Sequence, residues 1–470
     1  MTQQSSIRDD SIERNGAGKS PDRREFLKRA GGAALGAAVL LNSPGRARRR
    51  SCIVVGSGLS GLAAAYALKR ANWRVTVLEA RERTGGRVLS YHFAENPKLI
   101  CELGGEWVGA SHERVQALCR EFGIELADHR FKASLMRNGV VSRPGTWNFS
   151  ARAEAAFEKF KKTYKSYGQR KKEQLDRYDW WTWLQNLGFT EDDLLLRDLM
   201  DSTDFGESIR HVSAFAASSE YFESSPENEM DFKMRGGNSR LVAELAARLE
   251  PGTVRLNMPV TEIGQRAGRV QVTARGERFS ADACICTVPA RTLDRIRFDP
   301  PLPARQSAAA EELQYARIIK NSVLFGERFW DAEDFSLVSD VTSHYYFHST
   351  KNQPGTQGIL CSYAIGEKAD VLAAQDDRRR LAQVVGDLIP FNERAPALSQ
   401  SIKSYAWQRD PYTQGAYALY RPGQWFGVRP LLQQPHGKVL FAGEHLADWQ
   451  GFMEGAVVTG EGAARMLIRC

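Results

Sequence analysis

The chain has 470 residues, 42% of them hydrophobic and 26% charged. That length exceeds one ordinary core, and the composition is that of a globular protein, so fibrous and disordered classes are excluded and two interleaved domains are expected. The formal charge of +8 gathers in residues 1–50, where 11 Lys and Arg face 5 Asp and Glu; the rest is nearly neutral, which argues against a nucleic-acid partner. The seven cysteines are odd in number and show no close metal-type pairs. They read as small buried hydrophobes, with no metal site and no disulfide framework.

At the N-terminus, Asp22-Arg23-Arg24-Glu25-Phe26-Leu27-Lys28 has the form of a twin-arginine export motif, with Asp22 where Ser or Thr is usual. Gly31 to Leu41 is apolar but far short of the roughly 20 residues a stable membrane span needs. Residues 1–50 are therefore expected to be a leader and basic linker that sends the folded chain to the periplasm or outside the cell. The alternative is a cytoplasmic extension, because no clean A-x-A site is visible and Arg46 to Arg50 run almost directly into the first strand.

Cys52 to Val55 is a buried-strand pattern, Leu59 to Ala71 has helical spacing, and Arg74 to Leu78 completes a βαβ unit. From 109 to 230 the chain is rich in helix formers, including Ala151 to Lys172, whose charges read as a solvated helix face. Short strands return at Val254–Leu256, Val270–Val272 and Ala283–Cys286, and a second mixed stretch, 293–408, includes the strand-like Ile318 to Phe325. The chain closes on a strand, Val439–Phe441, and a helix from Met453 to Ile468. This alternation predicts an α/β fold in which a Rossmann-like dinucleotide domain is discontinuous, spanning 51–108, 231–292 and 409–470. An α+β substrate domain with a mixed sheet would occupy 109–230 and 293–408.

Gly56-Ser57-Gly58-Leu59-Ser60-Gly61 is a G-x-G-x-x-G between strand and helix. Its first glycine permits the tight turn, its second lets backbone approach a pyrophosphate, and its third allows helix–strand packing. Glu79, at the end of the next strand, is spaced to hold a pair of ribose hydroxyls. Four further motifs follow: Glu79 to Arg87 with Gly85-Gly86, Glu102 to Gly109 with Gly104-Gly105, Arg235-Gly236-Gly237-Asn238, and Thr287-Val288-Pro289. The last and longest is Phe441-Ala442-Gly443-Glu444-His445, then Gly451-Phe452-Met453-Glu454-Gly455-Ala456-Val457. A glycine-rich turn entering a helix aims positive potential at whatever lies before it, which suits the anionic edge of a reduced flavin.

In this order the motifs resemble the flavin amine oxidase superfamily, which includes monoamine, polyamine and L-amino acid oxidases, and the resemblance runs from Cys52 to the end. It implies FAD as cofactor, held by Gly56, Gly58, Ser60, Gly61, Glu79, Ala80, Arg81, Gly86, Arg87, Gly104, Gly105, Glu106, Trp107, Val260, Pro289, Trp407, Gly443, Glu444, Gly451, Phe452 and Met453. By resemblance, the Met453 backbone N–H meets the flavin edge and Glu444 holds the ribityl-phosphate portion. Ala416 stands where some monoamine oxidases carry a flavin-bonded cysteine, so the FAD is expected to be non-covalent. The catalytic set implied is Lys320, Tyr417, Phe452 and Trp407. Lys320 would hold a water beside flavin N5, Trp407 would pack near the ring, and Tyr417 and Phe452 would wall the substrate. Read without the family, Lys320 is an edge-strand gatekeeper and the aromatics are core.

Many L-amino acid oxidases place a carboxylate-clamping arginine shortly after the glycine at position 104, and here the matching residue is Trp107. An amine substrate is therefore favoured over an L-amino acid, with Arg210 or Arg235 as the clamp if an amino acid is taken after all. Glu106 and Asp204 are candidates for attracting a cationic tail, against the commoner reading of such carboxylates as solvated or capping. The expected reaction is oxidation of an amine to an imine, hydrolysis of the imine, and reoxidation by O2 to hydrogen peroxide. A dehydrogenase passing electrons to a periplasmic protein shares every motif, while an isomerase, a desaturase or a flavin-stabilised binding protein fits less well. Oligomeric state leaves no signal in the sequence.

Overall fold

The computed structural model describes residues 48–330, 332–448 and 450–469; the twin-arginine-like motif lies outside them. Its first strand, Ser51–Val55, is buried along its whole length, because a parallel sheet is covered on both faces. It pairs in parallel with Arg74–Leu78 on one side and Ala283–Cys286 on the other, and Val254–Arg255 and Val439–Phe441 complete a five-stranded sheet. The two-residue side-chain period divides these strands between two cores. Cys52, Val54 and Ile285 join the helices Leu59–Arg70, Ser239–Ala247 and Met453–Arg469. Ile53, Val55, Cys284 and Cys286 face the opposite way, against the four-stranded sheet of Val260–Arg266, Arg269–Ala274, Glu277–Ala281 and Arg297–Asp299.

A seven-stranded mixed sheet runs in the order Ser399–Ala406, Ile318–Phe325, Gly358–Ile365, Tyr345–His348, Phe335–Ser339, Lys132–Arg137, Val140–Ser142. Its pairings are antiparallel except between Phe335–Ser339 and Lys132–Arg137. Two of its strands thus come from a stretch whose composition favours helix; pairing with a distant strand outweighs local propensity there. Ile318–Phe325 is hydrogen-bonded on both sides, so Lys320 is not an edge-strand gatekeeper. The charged segment after Ser150 forms two helices, Ala151–Tyr164 and Gln169–Leu175, instead of one, with Ser150 capping the first and Gly168 opening the second. Phe160 and Tyr164 are buried and most of the charges are exposed. The six described cysteines are free and buried. Among the described residues no helix is long and apolar enough to cross a membrane.

Candidate active site

The glycine loop has the geometry its sequence demands. Gly56 has φ +100°, a conformation that favours glycine, and a Cβ on Gly61 would lie 2.0 Å from the Gly56 carbonyl oxygen. A Cβ on Gly58 would meet no protein atom within 4 Å, since Gly58 stands at a cavity wall where the next helix begins. Glu79 is buried behind the loop. Its carboxylate accepts the Ser57 N–H at 2.8 Å, the Ser57 hydroxyl at 2.7 Å and the Arg81 N–H at 3.0 Å. Glu79 therefore braces the loop as well as lining the cavity. Ser60 Oγ is buried without a hydrogen-bond partner, beside the N-terminus of Leu59–Arg70. An orphaned hydroxyl, a glycine cradle and a helix N-terminus fit the phosphates of a dinucleotide.

The cavity encloses about 410 Å³, and its walls include every FAD-binding and catalytic residue named from the sequence except Gly61. Gly61 acts from behind, by letting helix approach strand. The close approach continues at Gly460, whose Cβ would lie 2.0 Å from the Ser60 carbonyl oxygen and which draws Met453–Arg469 onto the loop helix.

Lys320 Nζ donates to Glu106 Oε2 at 2.7 Å and to the Gly104 carbonyl at 2.9 Å. The other Glu106 oxygen accepts from Lys233 Nζ at 3.1 Å and His129 Nε2 at 3.0 Å. Lys233 also lies 4.0 Å from Glu102. All five residues are buried. Burial pushes the Glu106 carboxyl up, but the Lys233 and Lys320 ammoniums and His129 outweigh it and hold the group well below its usual range. Burial also pulls His129 down to about 4, against the opposing Glu106 hydrogen bond, so its imidazole is neutral at pH 7. Glu106 is thus fully engaged and is corrected as an attractor for a cationic tail. Lys233, Glu102 and His129 escaped sequence reasoning because their partners are remote in the chain; Lys233, standing in the strand Phe232–Met234, was the available signal.

Glu444 accepts from Arg87 at 2.6 Å, from the Gly451 N–H at 2.8 Å and from the Ala418 N–H at 3.2 Å. In the protein itself it therefore ties the loop before the last helix to the Gly86-Arg87 turn. The Trp407 indole N–H donates to the Leu103 carbonyl at 2.8 Å, anchoring the Gly104-Gly105 passage, where a Cβ on Gly105 would touch the Met453 side chain at 3.4 Å. Tyr417 lies against Gly451, donates to the Asp204 carbonyl, and has its hydroxyl 3.3 Å from that of Tyr363. Phe452 meets the His112 ring edge-on at 5.1 Å, and Trp107 packs 5.2 Å from Phe347. Tyr345 and Tyr363 also line the cavity. Only strand register reveals them, since Tyr363 stands opposite both Lys320 and Tyr345.

The carboxylates of Asp204 and Glu220 share this cavity, whose lining arginines are Arg81, Arg87 and Arg295. Arg81 is paired with Asp410, Arg87 with Glu444, and Arg295 with the Pro411 carbonyl. Arg210 instead lies over the Trp181 ring at 3.4 Å and Arg235 pairs with Glu125 at 2.7 Å. Neither arginine reaches the cavity wall.

A parallel sheet entered by a glycine loop, joined by one cavity to a mixed sheet and an aromatic wall, defines a dinucleotide-dependent oxidoreductase. The model for flavin-containing amine oxidoreductases matches residues 59–468, and the chain belongs to that family. It is 26% identical to the L-amino-acid oxidase of Bothrops pauloensis, covering 88% of each chain. It is also 26% identical to the L-amino acid dehydrogenase of Synechocystis sp., covering 89% of this chain and 94% of that one. In fold it resembles a putrescine oxidase bound to putrescine (TM-score 0.79, 23% identity). A second match is the cyclohexylamine oxidase of Brevibacterium oxydans (TM-score 0.80, 22% identity); in both cases 90% of this chain covers 99% of the other.

Proposed function

We propose that the chain holds FAD non-covalently and oxidises an amine that carries no α-carboxylate, with O2 or an electron-transfer protein as final acceptor. FAD, when bound, supplies the two-electron acceptor for hydride leaving the carbon that bears the amine. The protein's own part is placement and environment. The glycine loop, Glu79 and Ser60 receive the nucleotide end, and Gly104-Gly105, Trp407, Glu444 and Met453 form the seat at the other. Lys320, held by Glu106 and the Gly104 carbonyl, is the group placed to hold a water there. Tyr417, Tyr363 and Phe452 exclude bulk water, which favours the neutral amine needed for hydride loss. The product imine takes up water and yields an aldehyde or ketone with ammonia or an amine; if O2 is the acceptor, hydrogen peroxide accompanies it.

One observation carries the preference for a simple amine: among the described residues every arginine and lysine lining the cavity already has a partner, so none of them is a free cation for a substrate carboxylate. The L-amino acid oxidase and dehydrogenase relatives favour the second reading, an enzyme for L-amino acids. Strand membership supports the proposed domain division, since the five-stranded sheet draws only on 51–108, 231–292 and 409–470 and the seven-stranded sheet only on 109–230 and 293–408. Export through the leader belongs to the same proposal, on the strength of Arg23-Arg24 and the apolar stretch after it. The deciding experiment follows flavin absorbance anaerobically while n-alkylamines and L-amino acids are added in turn. Bleaching by alkylamines alone is expected; bleaching by L-amino acids alone would overturn the amine assignment.

A further inference from the structure

We propose that Asp204, Glu220 and Gln450 form a subsite for a second, cationic amino group, so that the substrate is an α,ω-diamine; the inference rests on the amine reading above. All three side chains line the same cavity as Tyr417 and Phe452. Glu220, Gln450 and Phe452 also frame a small adjoining recess of about 10 Å³, roughly the room one water molecule takes.

The charges around this end of the cavity do not balance. Asp204 lies in the last turn of the helix Glu191–Phe205, and Glu220 in the helix Ala214–Glu223 packed near it. Asp204 accepts from the Tyr221 hydroxyl at 2.7 Å and the Asn228 amide at 3.0 Å, both neutral donors. Glu220 has neither a hydrogen bond nor an ion pair among the described residues. Nearby carboxylates are already served: Asp201 pairs with Arg197 at 2.9 Å and accepts the Trp180 N–H at 2.8 Å, and Glu229 accepts from Ser111 and Ser225. Burial pushes the Asp204 and Glu220 carboxyls up; the Asp201 charge raises Asp204 further, and the Asp204 charge raises Glu220 further. Two carboxylates held this way gain most from a cation that enters with the ligand.

Gln450 is an independent observation pointing the same way. It is 8% exposed, and its carbonyl oxygen has no hydrogen-bond donor. A buried acceptor left open in one cavity with two carboxylates that no cation balances asks for N–H donors, and an ammonium supplies three. A divalent metal does not suit the place, since among the described residues no group of three or more metal-ligating side chains forms. The Tyr417 hydroxyl bonds the Asp204 carbonyl, which joins the subsite directly to the aromatic wall. A chain with one neutral amine between the aromatics and one ammonium at Asp204 and Glu220 would span the two.

The test uses the flavin-loaded enzyme and compares n-alkylamines with α,ω-diamines from three to eight carbons, reading anaerobic flavin reduction at each concentration. A diamine of one preferred length should show a KM about tenfold or more below that of the monoamine of equal length. Glu220→Gln and Asp204→Asn should each shrink that ratio, by about tenfold, through the diamine KM. The wild-type length series needs no variant, so a variant that fails to fold does not spoil the test. If monoamines and diamines of equal length behave alike, the subsite is refuted while the amine reading stands. If only L-amino acids reduce the flavin, both are refuted.

Discussion

Replacing Glu106 by Gln tests the buried charge cluster most directly. Two carboxylates, Glu102 and Glu106, face two ammoniums, Lys233 and Lys320, with His129 neutral between them. The side chains of both carboxylates are at most 1% exposed, and those of the lysines at most 9%. Gln keeps the shape and can still accept one hydrogen bond, but two ammoniums are then left against one carboxylate. Removing one partner of a buried pair costs about 3–5 kcal/mol because the remaining charge stays desolvated. That is a large part of the 5–15 kcal/mol that typically holds a domain together. The assay is urea unfolding of E106Q, K320M and the double variant, followed by flavin and tryptophan fluorescence. The double variant restores the balance of one carboxylate to one ammonium, so it should be more stable than the sum of the single losses implies, by about 1–3 kcal/mol. If E106Q loses less than about 1 kcal/mol, or the double variant is simply additive, the electrostatic account of this cluster is wrong.

Gly61→Ala sets a Cβ 2.0 Å from the Gly56 carbonyl oxygen, a backbone atom that cannot turn aside. Purified G61A should carry little flavin and lose about 1–3 kcal/mol, checked by its absorbance ratio and melting midpoint, and Gly460→Ala should behave alike through the Ser60 carbonyl. Burial raises the Asp204 carboxyl to about 7, with Tyr221 and Glu220 facing it from one helix, Asn228 beside it, and Asp201 on its own helix. The group gains charge as pH rises through about 7, whereas a primary ammonium keeps its proton to about 10. Diamine KM should therefore fall between pH 6 and 8, and Asp204→Asn should flatten that limb of the profile.

The Rossmann half of the molecule is legible in the sequence because its signals are local. Gly56, Gly58 and Gly61 sit at spacings set by one turn and one helix, Cys52 to Val55 is an apolar run because both faces of the strand are covered, and the last glycine turn opens its helix at Met453. The glycine-rich part of the cavity wall lies in the same motifs. What Glu106 does was decided only by tertiary structure: its partners, Lys320, Lys233 and His129, come from three separate stretches and satisfy both oxygens, so a residue that reads as a free anion is a paired one. The strands Lys132–Arg137 and Val140–Ser142 likewise take their identity from the pairing with Phe335–Ser339. Tyr363 enters the site through its register with Lys320, and Asp204, Glu220 and Gln450 meet at one cavity. Periodicity and turn chemistry act over a few residues and are written along the chain, whereas charge compensation acts through space and exists only once distant segments are packed together.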